Sequence, residues 1–304
     1  MRNTLRAMGY HGRFLGQKAL GQTNCAEELA QGVFETKSLI FCLTNGRTGT
    51  RSLTSLFDCV PHVHAAHEEK PSFHLLMRWV QRNPALARDF WLFAKIPAIS
   101  DHPQPVHVDT SHVFGKGFLE PLLDLGARPK LIILTRNTRL IAKSMLALND
   151  IPGRTKRALK WYLSPSDPVF HRLPEPDSFS DYQLCYWHAL ETEARQAHYR
   201  RLCQSHGLTC VDADTATLNN LDCFERLCAN LGIELDEQAR ENLKSHVGRT
   251  LNSRTNEKKQ RPILLPSNFD EAEEEVRQNI LTEQPLMMRK STSGSYLATA
   301  LKNL

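Results

Sequence analysis

The feature that most constrains the fold is the stretch SLIFCLTNGRTGTRSLTSLF, residues 38–57. Its first seven residues form an apolar run of the length and composition typical of a fully buried strand. A turn with Gly46 and Gly49 follows, and after Thr50 the apolar residues recur at helical spacing until Pro61 ends the helix. The stretch therefore predicts a strand, a glycine-containing turn and a helix, an arrangement that binds phosphate groups at the helix N-terminus.

A second strand–helix unit lies at residues 129–148, where PKLIILTRN predicts a buried strand and TRLIAKSMLAL predicts a helix. Two further strands are predicted, PVHVDTSHVF at 105–114 and LTCVDAD at 208–214. Parallel strands need a crossover of about a dozen residues or more, usually a helix, and these units provide such crossovers. The sequence therefore predicts an α/β fold of three layers, in which helices flank a central parallel sheet.

The domain organisation follows from where these elements are predicted. Residues 1–37 are expected to form an N-terminal arm, residues 38–265 a single α/β domain, and residues 266–304 a C-terminal helical extension. Within the domain, residues 150–181 hold five prolines and predict a long irregular segment. Because irregular segments of this length in a compact domain are usually lids or binding loops, we expect a lid or ligand-binding segment there.

Charge and cysteine content restrict the functional class. The net charge of +5 and the pI near 8.8 indicate anionic ligands of modest size, and the excess is too small to indicate nucleic acid. The eight cysteines are dispersed, without a C-x-x-C pair, so we expect reduced thiols rather than a disulfide framework. The sequence shows neither a secretory signal nor an apolar run of about 18 residues, so a cytoplasmic protein without a transmembrane segment is expected.

The turn between the first strand and its helix is rich in hydrogen-bond donors. Backbone N–H groups are free at the start of a helix, and the helix dipole adds about 0.3–2 kcal/mol in favour of an anion. Side-chain donors are concentrated in the same turn: Arg47, Thr48, Thr50, Arg51 and Ser52. Donors at this density suit a phosphate or sulfate better than a carboxylate. The alternative is a structural turn whose threonine-rich start caps the helix.

A second group of donors belongs to the strand–helix unit at 129–148. Arg136 lies at the end of the strand, and Ser144 lies eight residues later inside the helix. In open α/β sheets ligands bind at the carboxyl ends of strands, where a guanidinium and a hydroxyl group from these positions can converge. Two donor-rich segments at two strand ends predict a ligand with two separated phosphate groups.

These two segments resemble the donor-binding motifs of sulfotransferases that use 3′-phosphoadenosine-5′-phosphosulfate (PAPS). NGRTGTRSLTSLF is similar to the 5′-phosphosulfate loop and RNTRLIAKS to the 3′-phosphate motif, in the same order and roughly 90 residues apart. FERLCANLGIELDE is similar to the closing helices of that fold, so the resemblance covers about residues 38–250. It implies the P-loop-like sulfotransferase architecture and transfer of a sulfuryl group from PAPS to a hydroxyl group, or less readily an amine, of an acceptor.

The resemblance also assigns roles to the residues of both motifs. Arg47 is expected to contact the bridging and 5′-phosphate oxygens, and Arg136 and Ser144 to hold the 3′-phosphate. The 5′ end of PAPS is expected to lie in a cradle formed by Gly49, Thr50, Arg51 and Ser52, and Thr48 is a further expected donor-binding residue. The chain departs from the common pattern at two positions, with arginine in place of lysine at 47 and Thr138 in place of proline. Neither change removes a donor.

A late basic segment, LNSRTNEKKQR at 251–261, lies where several family members close a loop over the 3′-phosphate. The resemblance therefore adds Arg254 and Lys258 to the expected donor-binding residues. The alternative is a solvated run of charge.

The catalytic base is expected in the segment VPHVHAAHEEKPSF, which follows the first predicted helix. Carbohydrate and tyrosylprotein sulfotransferases carry a catalytic glutamate at this place, and both Glu68 and Glu69 fit the pattern. His112, which follows a predicted strand, is a second candidate for acceptor contact or proton transfer. The sequence does not separate these candidates.

The same segment contains three histidines, His62, His64 and His67, which with a nearby carboxylate could ligate zinc. Because the resemblance explains the segment without a metal ion, no metal is expected.

The acceptor is not identified by any motif. Aromatic residues in the segment 150–181, namely Trp161, Tyr162 and Phe170, offer surface for a carbohydrate or another small metabolite. Two other functions are considered. A P-loop kinase or other NTP-using enzyme lacks support, because the Gly-Lys-Ser/Thr ending is missing and no aspartate is expected to end an apolar strand as a magnesium ligand. A non-catalytic nucleotide- or anion-binding protein of this fold would lack the base.

Overall fold

A computed structural model describes residues 2–218, 220–247 and 264–283 of the chain. The strands are β1 (Ser38–Thr44), β2 (Val63–Ala66), β3 (Val106–Asp109), β4 (Lys130–Thr135), β5 (His171–Arg172), β6 (Cys210–Asp214) and β7 (Leu281–Thr282). The α-helices are α1 (Arg2–Ala19), α2 (Thr23–Thr36), α3 (Thr50–Phe57), α4 (Met77–Val80), α5 (Ala85–Phe90), α6 (Ile96–Ser100), α7 (Leu119–Asp124), α8 (Thr138–Ala147), α9 (Ala158–Trp161), α10 (Asp181–His206), α11 (Leu221–Asn230), α12 (Glu237–His246) and α13 (Phe269–Asn279). Short 3₁₀ helices span Phe73–Leu75, Pro176–Ser178 and Thr215–Thr217, and a π-helical turn spans Trp91–Lys95.

Five strands form one parallel sheet in the order β2-β3-β1-β4-β6. Helices pack on both faces, so the predicted α/β fold of three layers with a central parallel sheet is confirmed. The chain runs from β1 outward to β2, returns to β3, and then crosses to β4 on the other side of β1. The strand order therefore reverses at β1, and such a reversal opens a crevice for ligands at the carboxyl ends of the strands.

The residues of β1 show why the strand is apolar throughout. Leu39, Phe41 and Leu43 pack into the core that contains residues of α1, α2, α7 and α10. Ile40 and Cys42 point to the opposite face and pack with residues of α3, α11 and α12. Successive side chains of a strand alternate between the two faces, so a strand covered on both sides needs apolar residues at every position.

Two strands differ from the sequence-based prediction. β2 was not predicted, because VHAA is short and carries little apolar patterning. It lies at the edge of the sheet and pairs with β3 along all four residues, from Val63 opposite Val106 to Ala66 opposite Asp109. β3 ends at Asp109 rather than at residue 114, because the polar residues that follow leave the sheet. Those residues enter the site described below.

The terminal segments pack against the sheet domain. Residues 2–36, expected as an arm, form α1 and α2, whose Phe14 and Val33 are buried in the core. At the other end, α13 packs on α10, where Tyr182 Oη donates a hydrogen bond to Glu273 Oε1 at 2.5 Å. The segment 150–181 includes α9 and β5, and β5 pairs with β7.

Candidate active site

A cavity of about 630 Å³ lies at the carboxyl ends of the central strands, at the point where the strand order reverses. It is the place where most of the predicted site residues meet. The residues predicted from sequence that line it are Arg47, Gly49, Thr50, Arg51, Ser52, Glu68, His112, Arg136 and Ser144. The cavity thus combines a donor-rich side with a carboxylate and an imidazole.

The turn after β1 has an unusual backbone. Arg47 and Gly49 both adopt the left-handed region, with φ of 78° and 79°. Glycine adopts this region freely, whereas a side chain there carries strain of about 1–3 kcal/mol that the surrounding structure must offset. At Gly46 the reason for glycine is space, because a Cβ atom would lie 2.4 Å from Tyr162 Oη. The turn is therefore shaped by its own glycines and by the segment that carries Tyr162.

Thr48 and Thr215 hold the turn in place. The Thr48 side chain is buried and lies 2.5 Å from Thr44 Oγ1, and it donates to the Asn45 carbonyl at 2.7 Å. Thr215 Oγ1 lies 2.7 Å from the Thr48 carbonyl and 2.8 Å from the Thr135 carbonyl. Thr48, predicted as a donor-binding residue, thus turns its side chain inward, away from the cavity.

The two predicted phosphate-binding segments adjoin each other. Arg47 Nε donates a hydrogen bond to Ser144 Oγ at 3.0 Å, and Arg136 Nη1 donates to the Arg47 carbonyl at 2.6 Å. Partial burial, and then the charge of Arg47, lower the pKa of Arg136. Among the described residues, no carboxylate forms an ion pair within 4.0 Å of Arg47, Arg51 or Arg136. This concentration of positive charge favours a ligand with several negative charges.

Glu68 and His112 form a hydrogen-bonded pair at the cavity wall. Glu68 Oε1 lies 3.1 Å from His112 Nδ1 and accepts a hydrogen bond from Ser111 Oγ at 2.8 Å. Burial acts to raise the pKa of Glu68, but the hydrogen bonds and charge of His112, together with Ser111, outweigh it and lower the pKa to about 2. Glu68 is therefore a carboxylate at neutral pH, and its backbone at φ 56° directs the side chain to this place.

His112 is the neutral member of the pair. Burial and the charge of Lys116 lower the pKa of His112 by more than Glu68 and the nearby Trp161 carbonyl raise it. A neutral imidazole donates one ring N–H, and the Glu68 carboxylate beside Nδ1 can only accept. The other nitrogen, Nε2, is buried and has no hydrogen-bonding partner among the described residues. A proton donor must therefore reach a part of the cavity wall that is closed to solvent in this structure.

Glu69 lies in a different environment from its neighbour. Its Oε2 is 3.0 Å from His64 Nε2, its side chain is 37% exposed, and it does not line the cavity. The two glutamates that the sequence could not separate are thus directed to different places by the left-handed backbone at Glu68.

Several cavity residues were not predicted from the sequence. Asp150 is fully buried, with Oδ1 3.0 Å from Arg157 Nε, and burial raises its pKa to about 6 against the lowering effects of Arg157 and Arg47. Thr215 and Leu218 also line the cavity. A signal for Thr215 existed, since it directly follows β6 at the carboxyl edge of the sheet. For Asp150 and Arg157 the sequence indicated only their segment, 150–181, because an irregular segment has no periodicity that singles out individual side chains.

Other expectations from sequence are corrected. Asp109 does end an apolar strand, contrary to the prediction, but its buried carboxylate pairs with Lys95 Nζ at 2.8 Å and accepts from the Ser111 N–H. It does not line the cavity. Phe170, expected to offer aromatic surface, is buried in the core, whereas Trp161 and Tyr162 line the cavity.

Two expected donor-binding residues, Arg254 and Lys258, lie outside the described residues. In the described part of the chain, no helix is both long enough and apolar enough to cross a membrane.

The chain was compared with protein families, curated proteins and solved structures. No family model matches the chain, and no curated protein matches it. Among solved structures, the chain is similar to the sulfotransferase domain from the Synechococcus PCC 7002 olefin synthase, with 14% identity, a TM-score of 0.46, and coverage of 80% of this chain and 94% of that chain. It is also similar to the sulfotransferase domain from the curacin biosynthetic pathway, with 15% identity, a TM-score of 0.45, and coverage of 82% and 99%.

Proposed function

We propose that this protein transfers a sulfuryl group from PAPS to a hydroxyl group of a small-molecule or carbohydrate acceptor. One observation carries the proposal. A single cavity joins arginines that pair with no carboxylate among the described residues, at the ends of β1 and β4, to the Glu68–His112 pair beyond β3. A polyanionic donor and a proton-accepting group are the two requirements of sulfuryl transfer to a hydroxyl group.

The cavity fits PAPS in its charge and in its backbone. Arg47, the helix N-terminus at Thr50 and the hydroxyl of Ser52 offer donors for the 5′-phosphosulfate. Arg136 and Ser144 offer a guanidinium and a hydroxyl group for the 3′-phosphate. The glycine at 46 lets the Tyr162 side chain pack directly against the turn, since a Cβ atom there would lie 2.4 Å from Tyr162 Oη.

When bound, PAPS supplies the sulfuryl group, which passes to the acceptor oxygen as its bond to the 5′-phosphate breaks. Arg47 and the backbone N–H groups at the start of α3 stabilise the negative charge that develops on the leaving phosphate. Donors that are already in position lower the barrier most at this oxygen, because they need not reorganise as its charge develops.

His112 takes the proton of the acceptor hydroxyl at Nε2, and Glu68 orients it. A general base works best when its pKa lies near the working pH, and a carboxylate with a pKa of about 2 is a weak base. His112 is neutral, and Glu68 fixes the Nδ1–H tautomer, which leaves the lone pair on Nε2, and stabilises the imidazolium that forms. Glu69 takes no part, because its side chain lies outside the cavity.

The alternative functions have less support. The carboxylates that end β3 and β6, Asp109 and Asp214, accept hydrogen bonds from neighbouring residues and do not line the cavity, so neither is placed as the strand-ending magnesium ligand of a nucleotide-using enzyme. The pairing of Glu68 with His112 favours an enzyme over a binding protein.

Calorimetry with the full chain tests the donor assignment. We expect 3′-phosphoadenosine 5′-phosphate to bind at least tenfold more tightly than ATP, and Arg136→Ala to weaken that binding by about 1.5–3 kcal/mol, the scale of a charge-assisted hydrogen bond. Arg82, which is exposed and lies away from the cavity, supplies the matched control Arg82→Ala. Preference for ATP, or equal effects of both substitutions, would contradict the proposal. Turnover of labelled PAPS in an acceptor screen then tests transfer itself.

A further inference from the structure

A second cluster of chemically active side chains lies outside the cavity, at the β2 edge of the sheet. His64 lies on β2, Glu69 lies in the loop after it, and His102 lies between α6 and β3. We propose that His64, Glu69 and His102 bind a divalent transition-metal ion, for which Zn²⁺ is the best match. This site is separate from the proposed transfer reaction, since none of the three residues lines the cavity.

The separations of the ligand atoms suit one ion. Glu69 Oε2 lies 3.0 Å from His64 Nε2, and Glu69 Oε1 lies 3.8 Å from His102 Nε2. One ligand atom from each residue lies within 4.8 Å of the other two. In a tetrahedral zinc site with bonds of about 2.0–2.2 Å, neighbouring ligand atoms are about 3.3–3.6 Å apart. The two measured separations, one to each oxygen of the Glu69 carboxylate, lie just below and just above this range, so side-chain rotation brings one oxygen and both Nε2 atoms to a single ion.

The imidazole rings define the movement needed. The His64 and His102 rings stack with centroids 3.5 Å apart and planes 15° apart, and both Nε2 atoms lie towards Glu69. Nearly parallel rings must splay for both lone pairs to point at one ion. The side chains are 19% and 30% exposed, so the rings have room to turn and an ion there keeps a water-accessible position.

The backbone that carries the ligands is held in place. His64 is paired in register with His107 of the neighbouring strand β3. Lys37 Nζ donates to the carbonyls of His102 at 2.6 Å and Gln104 at 2.9 Å, which anchors the loop that carries His102. Anchoring of this kind orients the ligands before binding and is a regular feature of metal sites.

The ligand set favours zinc. Two imidazoles and one carboxylate, with a position left for water, are a set found in zinc sites, whereas Ca²⁺ and Mg²⁺ prefer oxygen ligands. The sequence predicted no metal ion, and the proposed site differs from that prediction. It shares only His64 with the set His62, His64 and His67 considered from sequence. His67 lines the cavity, and His62 is not in the cluster.

The test uses the full chain, stripped with a chelator and titrated with Co²⁺ alone while the visible absorption is recorded. We expect one Co²⁺ per chain, displaced by one Zn²⁺. Glu69→Gln and His102→Asn, both in loops, should each weaken Co²⁺ binding at least tenfold. The matched control His62→Asn removes a half-buried histidine of the same segment that is not in the cluster, and it should leave binding unchanged.

Three results would overturn the proposal. One is the absence of a one-to-one complex at micromolar Co²⁺. Another is unchanged binding in Glu69→Gln or His102→Asn variants that are folded by circular dichroism. The third is an equal loss in His62→Asn, or a thiolate-to-cobalt charge-transfer band, since either would assign the ion to other histidines or to cysteines.

Discussion

Replacing Glu68 with glutamine separates the proposed roles of Glu68 and His112. The substitution keeps the shape of the side chain and removes its charge. Glu68 faces His112 Nδ1 at 3.1 Å, and this contact becomes charge-assisted on both sides when His112 takes the acceptor proton. The carboxylate therefore stabilises the transition state more than the ground state, which is the condition for an effect on kcat.

The size of the effect follows from that contact. A hydrogen bond to a charged group contributes about 1.5–3 kcal/mol, and each 1.36 kcal/mol is tenfold in rate, so kcat should fall about 10- to 150-fold. The rate should rise with pH as His112 loses its proton. Because Glu68 raises the pKa of His112, that rise should move to lower pH in the Glu68→Gln variant.

The assay is transfer from labelled PAPS to the best acceptor between pH 5 and 9, together with calorimetry of 3′-phosphoadenosine 5′-phosphate binding. Affinity for the nucleotide should stay the same, because Glu68 does not belong to the arginine side of the cavity. The pKa of Glu68 falls from 4.5 to about 2 on folding, which gives stability that is complete above pH 4.5 and lost as the pH falls towards 2. Glu68→Gln loses up to about 3 kcal/mol of it at neutral pH, so rates are compared well below the melting temperature.

Glu69→Gln is the matched control, since it changes the adjacent residue outside the cavity. The reasoning fails if Glu68→Gln keeps full activity and the same pH profile, or if Glu69→Gln shows the same loss. If His112→Asn is nearly as active as the wild type while Glu68→Gln is inactive, Glu68 is itself the base and the assignment is reversed.

Three further substitutions test the structure around the cavity. Asp150→Asn should raise the free energy of unfolding by about 1–3 kcal/mol above pH 6 and by almost nothing near pH 4. The reason is that the pKa of Asp150 is raised to about 6, so the buried carboxylate destabilises the fold only where it is ionised. Thermal unfolding across this pH range measures the difference. Gly46→Ala should displace Tyr162 and weaken nucleotide binding in calorimetry at least tenfold, since the new Cβ atom meets Tyr162 Oη at 2.4 Å. Lys95→Met should cost about 3–5 kcal/mol in urea unfolding, because it leaves Asp109 buried without its partner.

Two of these substitutions have a matched control in the chain, and the third is checked by its pH dependence. Gly32→Ala, in α2 with open space around it, should be neutral or stabilising, in contrast to Gly46→Ala. Lys244→Met removes an exposed pair with Glu241 and should leave the unfolding transition nearly unchanged, in contrast to Lys95→Met. An Asp150→Asn gain that is equal at pH 4 and pH 7 would show that the ionised carboxylate is not its cause.

Local patterning in the sequence determined the central units of the fold. The apolar runs of β1 and β4 and the helical spacing of α3 and α8 are visible in the sequence because both faces of the sheet are covered. Arg47 and Arg136 could be predicted as anion-binding residues from these strands. Each arginine follows a strand, and the carboxyl ends of parallel strands lie at the same edge of the sheet. Short elements such as β2 were missed, because an edge strand of four residues needs no apolar pattern.

The tertiary structure alone decided which of two adjacent residues faces the cavity and which neighbours it meets. Glu68 and Glu69 are chemically alike, and only the left-handed backbone at Glu68 sends one carboxylate to His112 and the other to His64. Asp150 belongs to an irregular segment with no periodicity to indicate a side-chain direction, and its burial and raised pKa arise from chain packing that no local pattern encodes. Spacing along a chain specifies strands and helices, whereas the meeting of side chains from distant segments depends on how those elements pack.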